Sequence, residues 1–126
     1  MIMQFLIVGF GAFIGACLRH GVNLIIKHYF ELEKLFYSTF IVNMLGSFFI
    51  GLMFSYLSNI SGDRLELRLL IITGLLGSFT TFSTFSLENY QFLIDGEYLK
   101  FILYSVISLL IGLIMVYLGI KIYEQF

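Results

Sequence analysis

The chain has 126 residues, of which 60% are hydrophobic and only 12% are charged, and its mean hydropathy is +0.98. A soluble domain is about one quarter charged, so this composition belongs to the integral membrane class and leaves no room for a soluble domain. The formal net charge of −1 gives no sign of a nucleic-acid partner.

Four runs without charged residues divide the chain, and each is about long enough to cross a bilayer core of roughly 30 Å. They predict an all-α integral membrane protein in which residues 1–126 form one four-helix transmembrane domain. The predicted spans cover about residues 3–27, 36–57, 67–94 and 99–123. We therefore expect a multi-pass membrane protein, with the lipid bilayer as its surroundings.

Basic residues are almost evenly distributed between the two sides of the membrane. Four spans place Arg64, Arg68 and Lys121 on one side, and Arg19, Lys27, Lys34 and Lys100 on the other. An asymmetry of Lys and Arg normally fixes the orientation of a membrane protein. The near balance predicts that the chain can insert both ways round, which permits an antiparallel homodimer.

Span one carries small residues at the spacing Gly11-x-x-x-Gly15, and Arg19 follows one turn later on the same face. Small residues at this spacing allow two helix backbones to approach closely. Arg19 has two interpretations: an interfacial arginine whose side chain reaches toward water, or a cation at the mouth of an anion pathway.

Span two contains one polar side chain that needs a partner, Asn43, which lies between Val42 and Met44. Its carboxamide can bond to a neighbouring helix, which is the ordinary structural use of such a group in membranes. Alternatively, its NH₂ group donates to an anion. The sequence leaves both interpretations open.

Span three contains Ser-Phe-Thr-Thr-Phe-Ser-Thr-Phe-Ser at residues 78–86, an unusual density of hydroxyls inside an apolar run. Glycine and threonine are poor residues for a helix interior, and hydroxyls can bond back to nearby carbonyls. We therefore predict a break in the third helix near Gly77–Thr81. Backbone groups freed inside a membrane are tolerated only where they face protein, water or an ion.

Three phenylalanines in this segment recur every three residues, at Phe79, Phe82 and Phe85, and alternate with hydroxyls such as Ser83 and Thr84. They are either core or lipid-facing side chains, or they present ring edges to a ligand. We expect Phe79 to be such a core or lipid-facing side chain. The edge of a phenyl ring carries positive partial charge, so ring edges combined with OH and NH₂ donors suit a small anion.

Span four adds Tyr104 and Ser108, one turn apart and on one face of the predicted helix. The spans contain no histidine at membrane depth and no arrangement of a serine with a general base, so we expect no enzyme activity. A proton-coupled exporter of the small multidrug type is the alternative function, but span one lacks the acid that it needs. A structural membrane subunit is a third possibility.

Three motifs occur in order along the spans. They are Gly-Ala-Phe-Ile-Gly-Ala-Cys-Leu-Arg at 11–19, Val-Asn-Met-Leu-Gly-Ser-Phe at 42–48, and Gly-Leu-Leu-Gly-Ser-Phe-Thr-Thr-Phe-Ser-Thr-Phe-Ser-Leu-Glu at 74–88. With them the chain resembles the Fluc/CrcB family of fluoride channels over nearly its full length. The sequence departs from the family pattern at His20, where a tyrosine is expected, and at Gly112, where a further hydroxyl is expected.

The resemblance implies an antiparallel, dual-topology homodimer with two fluoride pathways and a structural sodium ion at its centre. It implies that Asn43 donates to fluoride and that Phe82 and Phe85 present ring edges to it. Ser83, Thr84, Tyr104 and Ser108 belong to the implied pathway, with Arg19 near its aqueous end. The resemblance also implies that backbone carbonyls of Gly77 and Thr80 hold the sodium ion.

Overall fold

The computed structural model describes residues 1–30, 35–60 and 64–125, and these residues form helices joined by short turns, without a strand. In chain order the elements are α1 (Ile2–Phe30), α2 (Leu35–Asn59), α3 (Leu65–Leu67), a π-helical segment (Arg68–Leu76), α4 (Gly77–Phe79), α5 (Phe82–Ile94) and α6 (Tyr98–Glu124). The all-helical prediction is confirmed.

Four stretches of helix are long and apolar enough to cross a membrane: Ile2–Tyr29, Phe36–Asn59, Leu65–Ile94 and Tyr98–Glu124. The third of these combines α3, the π-helical segment, α4 and α5, and is called span three below. Lys34, which entered the charge balance, lies outside the described residues.

Helix α1 lies directly against span three because two of its glycines have no side chain. A Cβ on Gly11 would collide with the carbonyl oxygen of Leu70, and one on Gly15 with the carbonyl oxygen of Leu75. The Gly11-x-x-x-Gly15 spacing therefore produces the close backbone contact that such spacing favours.

Helices α2 and α6 form the second close pair, with one glycine on each helix at the contact. Gly51 of α2 faces the carbonyl oxygen of Val116, and Gly119 of α6 faces that of Phe48. The two tight pairs, α1 with span three and α2 with α6, enclose the polar residues between them.

Span three leaves helical geometry at Thr80 and Thr81. Thr80 has φ −76° and ψ 158°, and Thr81 has φ −145° and ψ 113°, so both are extended. Helix α5 restarts at Phe82, and the side chain of Thr81 caps it by accepting from the Thr84 amide. The π-helical segment before this point was not predicted. No residue pattern in the sequence distinguishes its i→i+5 hydrogen bonds from the i→i+4 bonds of an α-helix.

Candidate functional site

The carboxamide of Asn43 binds both backbone groups of Thr81, at the point where span three is interrupted. The Thr81 amide donates to Asn43 Oδ1 over 2.8 Å, and Asn43 Nδ2 donates to the Thr81 carbonyl over 3.2 Å. Asn43 thus makes a hydrogen bond to a neighbouring helix, the first of the two roles that the sequence left open. A carboxamide NH₂ has two hydrogens, so one of them is left for a second acceptor.

The interruption takes the usual helical donors away from the four carbonyls of residues 77–80, and for two of them, Gly77 and Thr80, the former donor is seen to bind elsewhere. In a continuous α-helix, the amides of Thr81 and Thr84 would donate to the carbonyls of Gly77 and Thr80, four residues earlier. Instead the Thr81 amide donates to Asn43, and the Thr84 amide donates to the Thr81 hydroxyl over 3.3 Å. Gly77 is also exposed on the surface of the single chain. Both carbonyls are therefore available to an outside ligand.

A cavity of about 560 Å³ opens beside the interruption, between α2, α5 and α6. We call it the phenylalanine cavity, because the rings of Phe82 and Phe85 line it with their centroids 6.0 Å apart. Phe82 is 78% exposed. The polar side chains in its wall are Asn43, Ser47, Thr80, Thr81, Ser105 and Ser108.

A smaller cavity of about 270 Å³ lies on the other side of the interruption. We call it the arginine cavity; it is lined by Arg19, His20, Asn23, Thr39, Val42, Thr81 and Thr84. Thr81 borders both cavities, so the Asn43–Thr81 pair forms part of the wall between them. The hydroxyl of Ser38 donates to the carboxamide oxygen of Asn23 beside this cavity, which ties α2 to α1.

Glu88 is buried, only 5% exposed, and both of its carboxylate oxygens accept hydrogen bonds from hydroxyls. Thr39 Oγ1 donates to one oxygen over 2.7 Å, and the Tyr104 hydroxyl donates to the other over 2.8 Å. The Tyr104 ring lies 5.0 Å from that of Phe85. Sequence reasoning missed Thr39, although its position one turn before Asn43 on α2 is a signal that could have found it.

A second pair of polar side chains fixes α5 against α6 and was also missed. Asn89 Nδ2 donates to the Phe85 carbonyl over 3.0 Å, and the Ser105 hydroxyl donates to Asn89 Oδ1 over 2.9 Å. Asn89 is buried. The pair therefore anchors the segment of α5 that carries Phe85.

Several predicted site residues lie apart from the group around Asn43. Tyr104 and Ser108 share α6, but the Tyr104 hydroxyl points to Glu88 whereas Ser108 lines the phenylalanine cavity. Ser83 is exposed and lines neither cavity; its hydroxyl lies 3.4 Å from that of Thr81. Phe79 is buried, and the interruption separates its ring from those of Phe82 and Phe85.

The chemistry of the two cavities suits an anion. Their walls offer hydroxyls, a carboxamide, the guanidinium of Arg19 and phenyl rings, and no carboxylate is among the described residues that line them. Such donors can replace the hydration shell of an anion. No group of three or more His, Cys, Asp or Glu side chains that could hold a metal ion occurs in the described part of the chain.

Comparison with known proteins gives one consistent result. A family model described as CrcB-like protein, Camphor Resistance (CrcB), matches residues 6–120. A protein of Campylobacter jejuni is 45% identical over 125 residues, covering 98% of this chain and 100% of the relative. A Methanococcus aeolicus protein is 43% identical, covering 92% and 91%, and an Aquifex aeolicus protein 38%, covering 89% and 90%. All three relatives are named fluoride-specific ion channel FluC.

Proposed function

Because the chain belongs to the CrcB family, we propose that it is a fluoride-selective ion channel. It is a multi-pass protein of the inner membrane, and it lets fluoride leave the cell passively. A cell interior that is negative by 100 mV favours the exit of one negative charge by about 2.3 kcal/mol, so export needs no coupled energy source. Passive export of this kind protects a cell from fluoride that enters as the neutral acid.

The observation that carries this proposal is the phenylalanine cavity, which is lined by two phenyl rings and by neutral hydrogen-bonding side chains, with no carboxylate among the described residues of its wall. Fluoride is small and strongly hydrated, and each water that it loses must be replaced by a donor or a positive ring edge. The second N–H of Asn43, the rings of Phe82 and Phe85 and the hydroxyl of Ser108 supply these contacts. We place Arg19 and Thr84, which line the arginine cavity, toward the aqueous end of the pathway.

Tyr104 and Ser83 have secondary roles in this proposal. Tyr104 contacts the Phe85 ring and donates to Glu88, so it holds the Phe85 ring in position without lining the cavity itself. Ser83 lies beyond both cavities, on the exposed side of α5. It reaches the pathway only if a second subunit completes the surface around Phe82.

The alternative, a proton-coupled exporter of the small multidrug type, is disfavoured by the position of the acids. Such an exporter needs a carboxylate in the middle of its substrate path, and α1 contains none. Glu88, the buried carboxylate of span three, lines neither cavity and accepts hydrogen bonds from Thr39 and Tyr104. Neither cavity therefore offers a site where protons and a cationic substrate compete.

We propose that the functional unit is an antiparallel homodimer. The balanced distribution of basic residues permits both orientations in the membrane. Phe82 and Gly77 are exposed on the single chain although they belong to the interrupted part of span three. A second copy packed there would cover the Phe82 ring and bring two interruptions together.

The interrupted helix also fits a sodium ion, which we propose lies at the centre of this dimer. The carbonyls of Gly77 and Thr80 are among those freed at the interruption, and the amides that would otherwise bind them donate to Asn43 and to the Thr81 hydroxyl. Rings of backbone carbonyls are established ligands for alkali cations in channels. Two carbonyls from each subunit would hold the ion and stabilise the extended backbone at Thr80 and Thr81.

Removal of sodium is therefore expected to weaken the assembled channel. Protein purified and reconstituted in N-methylglucamine chloride should show less fluoride efflux and a lower melting temperature than protein kept in sodium chloride of equal ionic strength. Adding sodium back should restore both. Full efflux from protein that elemental analysis finds free of sodium would contradict the carbonyl site.

The channel itself is tested by anion efflux from proteoliposomes, with an ionophore to balance charge. We expect rapid release of fluoride and none of chloride. Phe82→Ile should slow fluoride release roughly five-fold, the factor that corresponds to losing an aromatic interaction of about 1 kcal/mol. Phe13→Ile, the same change at an exposed ring of α1, is the control and should conduct normally. The channel proposal fails if the folded wild-type dimer releases no fluoride.

A further inference from the structure

Ser108 carries a buried hydroxyl that makes no hydrogen bond to any residue that the structure describes. It lines the phenylalanine cavity on α6. A hydroxyl at membrane depth is costly without a partner, so this one is expected to have a ligand when the protein functions. In the proposed pathway this ligand is fluoride. An ion that reaches Ser108 needs a further donor beyond it in order to move on.

The next position along the same face of α6 is Gly112, which offers no hydroxyl. It also lines the phenylalanine cavity. A Cβ at this position would lie 3.7 Å from Met44 Cε and 3.8 Å from Ser47 Oγ, which are ordinary contact distances. The polar atom nearest to this space therefore belongs to α2.

That atom is the hydroxyl of Ser47, one helical turn beyond Asn43 on α2. Serines inside helices often bond back to the carbonyl four residues earlier, but the Ser47 hydroxyl makes no hydrogen bond to the described residues. It faces the cavity instead. Asn43 and Ser47 on one helix thus oppose Ser108 and Gly112 on the other, and the hydroxyl missing from α6 is present on α2.

We propose that Ser47 is a fluoride-binding residue that takes the position beyond Ser108, in the space that Gly112 leaves open. The inference rests on the proposed fluoride channel. It means that the line of donors crosses from α6 to α2 after Ser108. The Ser47 hydroxyl donates to fluoride as it passes, beside the apolar methyl group of Met44.

A compensation experiment tests this assignment through fluoride efflux from proteoliposomes. Ser47→Ala removes one donor to an ion and should slow efflux about ten-fold, the effect expected for one charge-assisted hydrogen bond. Adding Gly112→Ser to that variant should restore most of the rate, because it returns a hydroxyl to the same space from the opposite helix. Ser55→Ala, the same change two turns further along α2 and outside the cavity wall, is the control and should conduct normally.

The outcomes separate this inference from the function on which it rests. If the wild-type protein releases no fluoride, the proposed channel itself is wrong. If the wild type conducts and Ser47→Ala conducts equally well, or Gly112→Ser does not rescue a slow Ser47→Ala, only the role of Ser47 is overturned. If the double variant fails to assemble, Ser47→Thr and Ser47→Val replace it, because threonine and valine have nearly the same shape and only threonine has a hydroxyl. Ser47→Thr should then conduct normally and Ser47→Val slowly. Equal efflux from these two variants would reject the proposal.

Discussion

Gly15→Ala is expected to lower the free energy of unfolding by about 1–3 kcal/mol, the usual cost of forcing an extra methyl group into a packed interface. The new Cβ would collide with the carbonyl oxygen of Leu75 and with the hydroxyl of Ser78. The backbone of span three cannot rotate away as a side chain could. The Ser78 hydroxyl also donates to the Ala12 carbonyl over 2.8 Å, so separating the helices strains this bond as well.

The measurement is thermal unfolding in detergent, together with the fraction of monodisperse protein after extraction. Gly9→Ala on the same helix is the matched control, because a Cβ there would meet no atom within 4 Å. It should leave stability unchanged or raise it by up to about 1 kcal/mol through better helix propensity. Equal stability of the two variants would show that the contact of α1 with span three is looser than described.

Asn43→Leu is expected to abolish fluoride efflux and to destabilise the fold, because Asn43 both holds the interruption and lines the pathway. The substitution leaves the Thr81 amide and carbonyl without their partner. Each buried group so orphaned costs about 1–3 kcal/mol. Freed from Asn43, the Thr81 amide can return to the Gly77 carbonyl, which would close one of the two carbonyls proposed for sodium.

Asn43→Asp separates these two roles. A carboxylate still accepts from the Thr81 amide, so the variant should retain much of the stability that Asn43→Leu loses. It cannot donate to an anion and repels one by charge, so its fluoride efflux should be absent. Asn59→Leu, at the end of the same helix, is the control and should retain efflux. Normal efflux from Asn43→Asp would favour the purely structural interpretation of this residue.

Much of the fold could be predicted from residue type and spacing alone. Runs without charge give the four spans, because only a helix can satisfy its backbone inside a bilayer. The Gly11 and Gly15 spacing predicts a close helix contact, although not which helix is the neighbour. The glycines and threonines of 77–81 indicate weak helix, and the extended residues are Thr80 and Thr81.

The candidate site was predictable only where its residues lie in recognisable segments. Asn43, Phe82, Phe85 and Ser108 stand out as polar or alternating residues within apolar spans, and the structure places all four in one cavity wall. The hydrogen bonds of Glu88 to Thr39 and Tyr104 could not be predicted. Thr39 is 49 residues away and Tyr104 is 16 residues away, so no local spacing connects them with this carboxylate.

The sequence by itself determined the class of the protein, its four spans and the polar and aromatic residue types within them, because hydropathy and backbone chemistry act locally along the chain. Only the tertiary structure decided which polar group partners which. In the structure Asn43 binds the backbone of Thr81. Tyr104 donates to Glu88 instead of lining the cavity wall beside Ser108. The Ser47 hydroxyl lies next to Gly112. The physical reason is that hydrogen bonds reach about 3 Å and depend on direction. The rotation and crossing of packed helices therefore decide each of them.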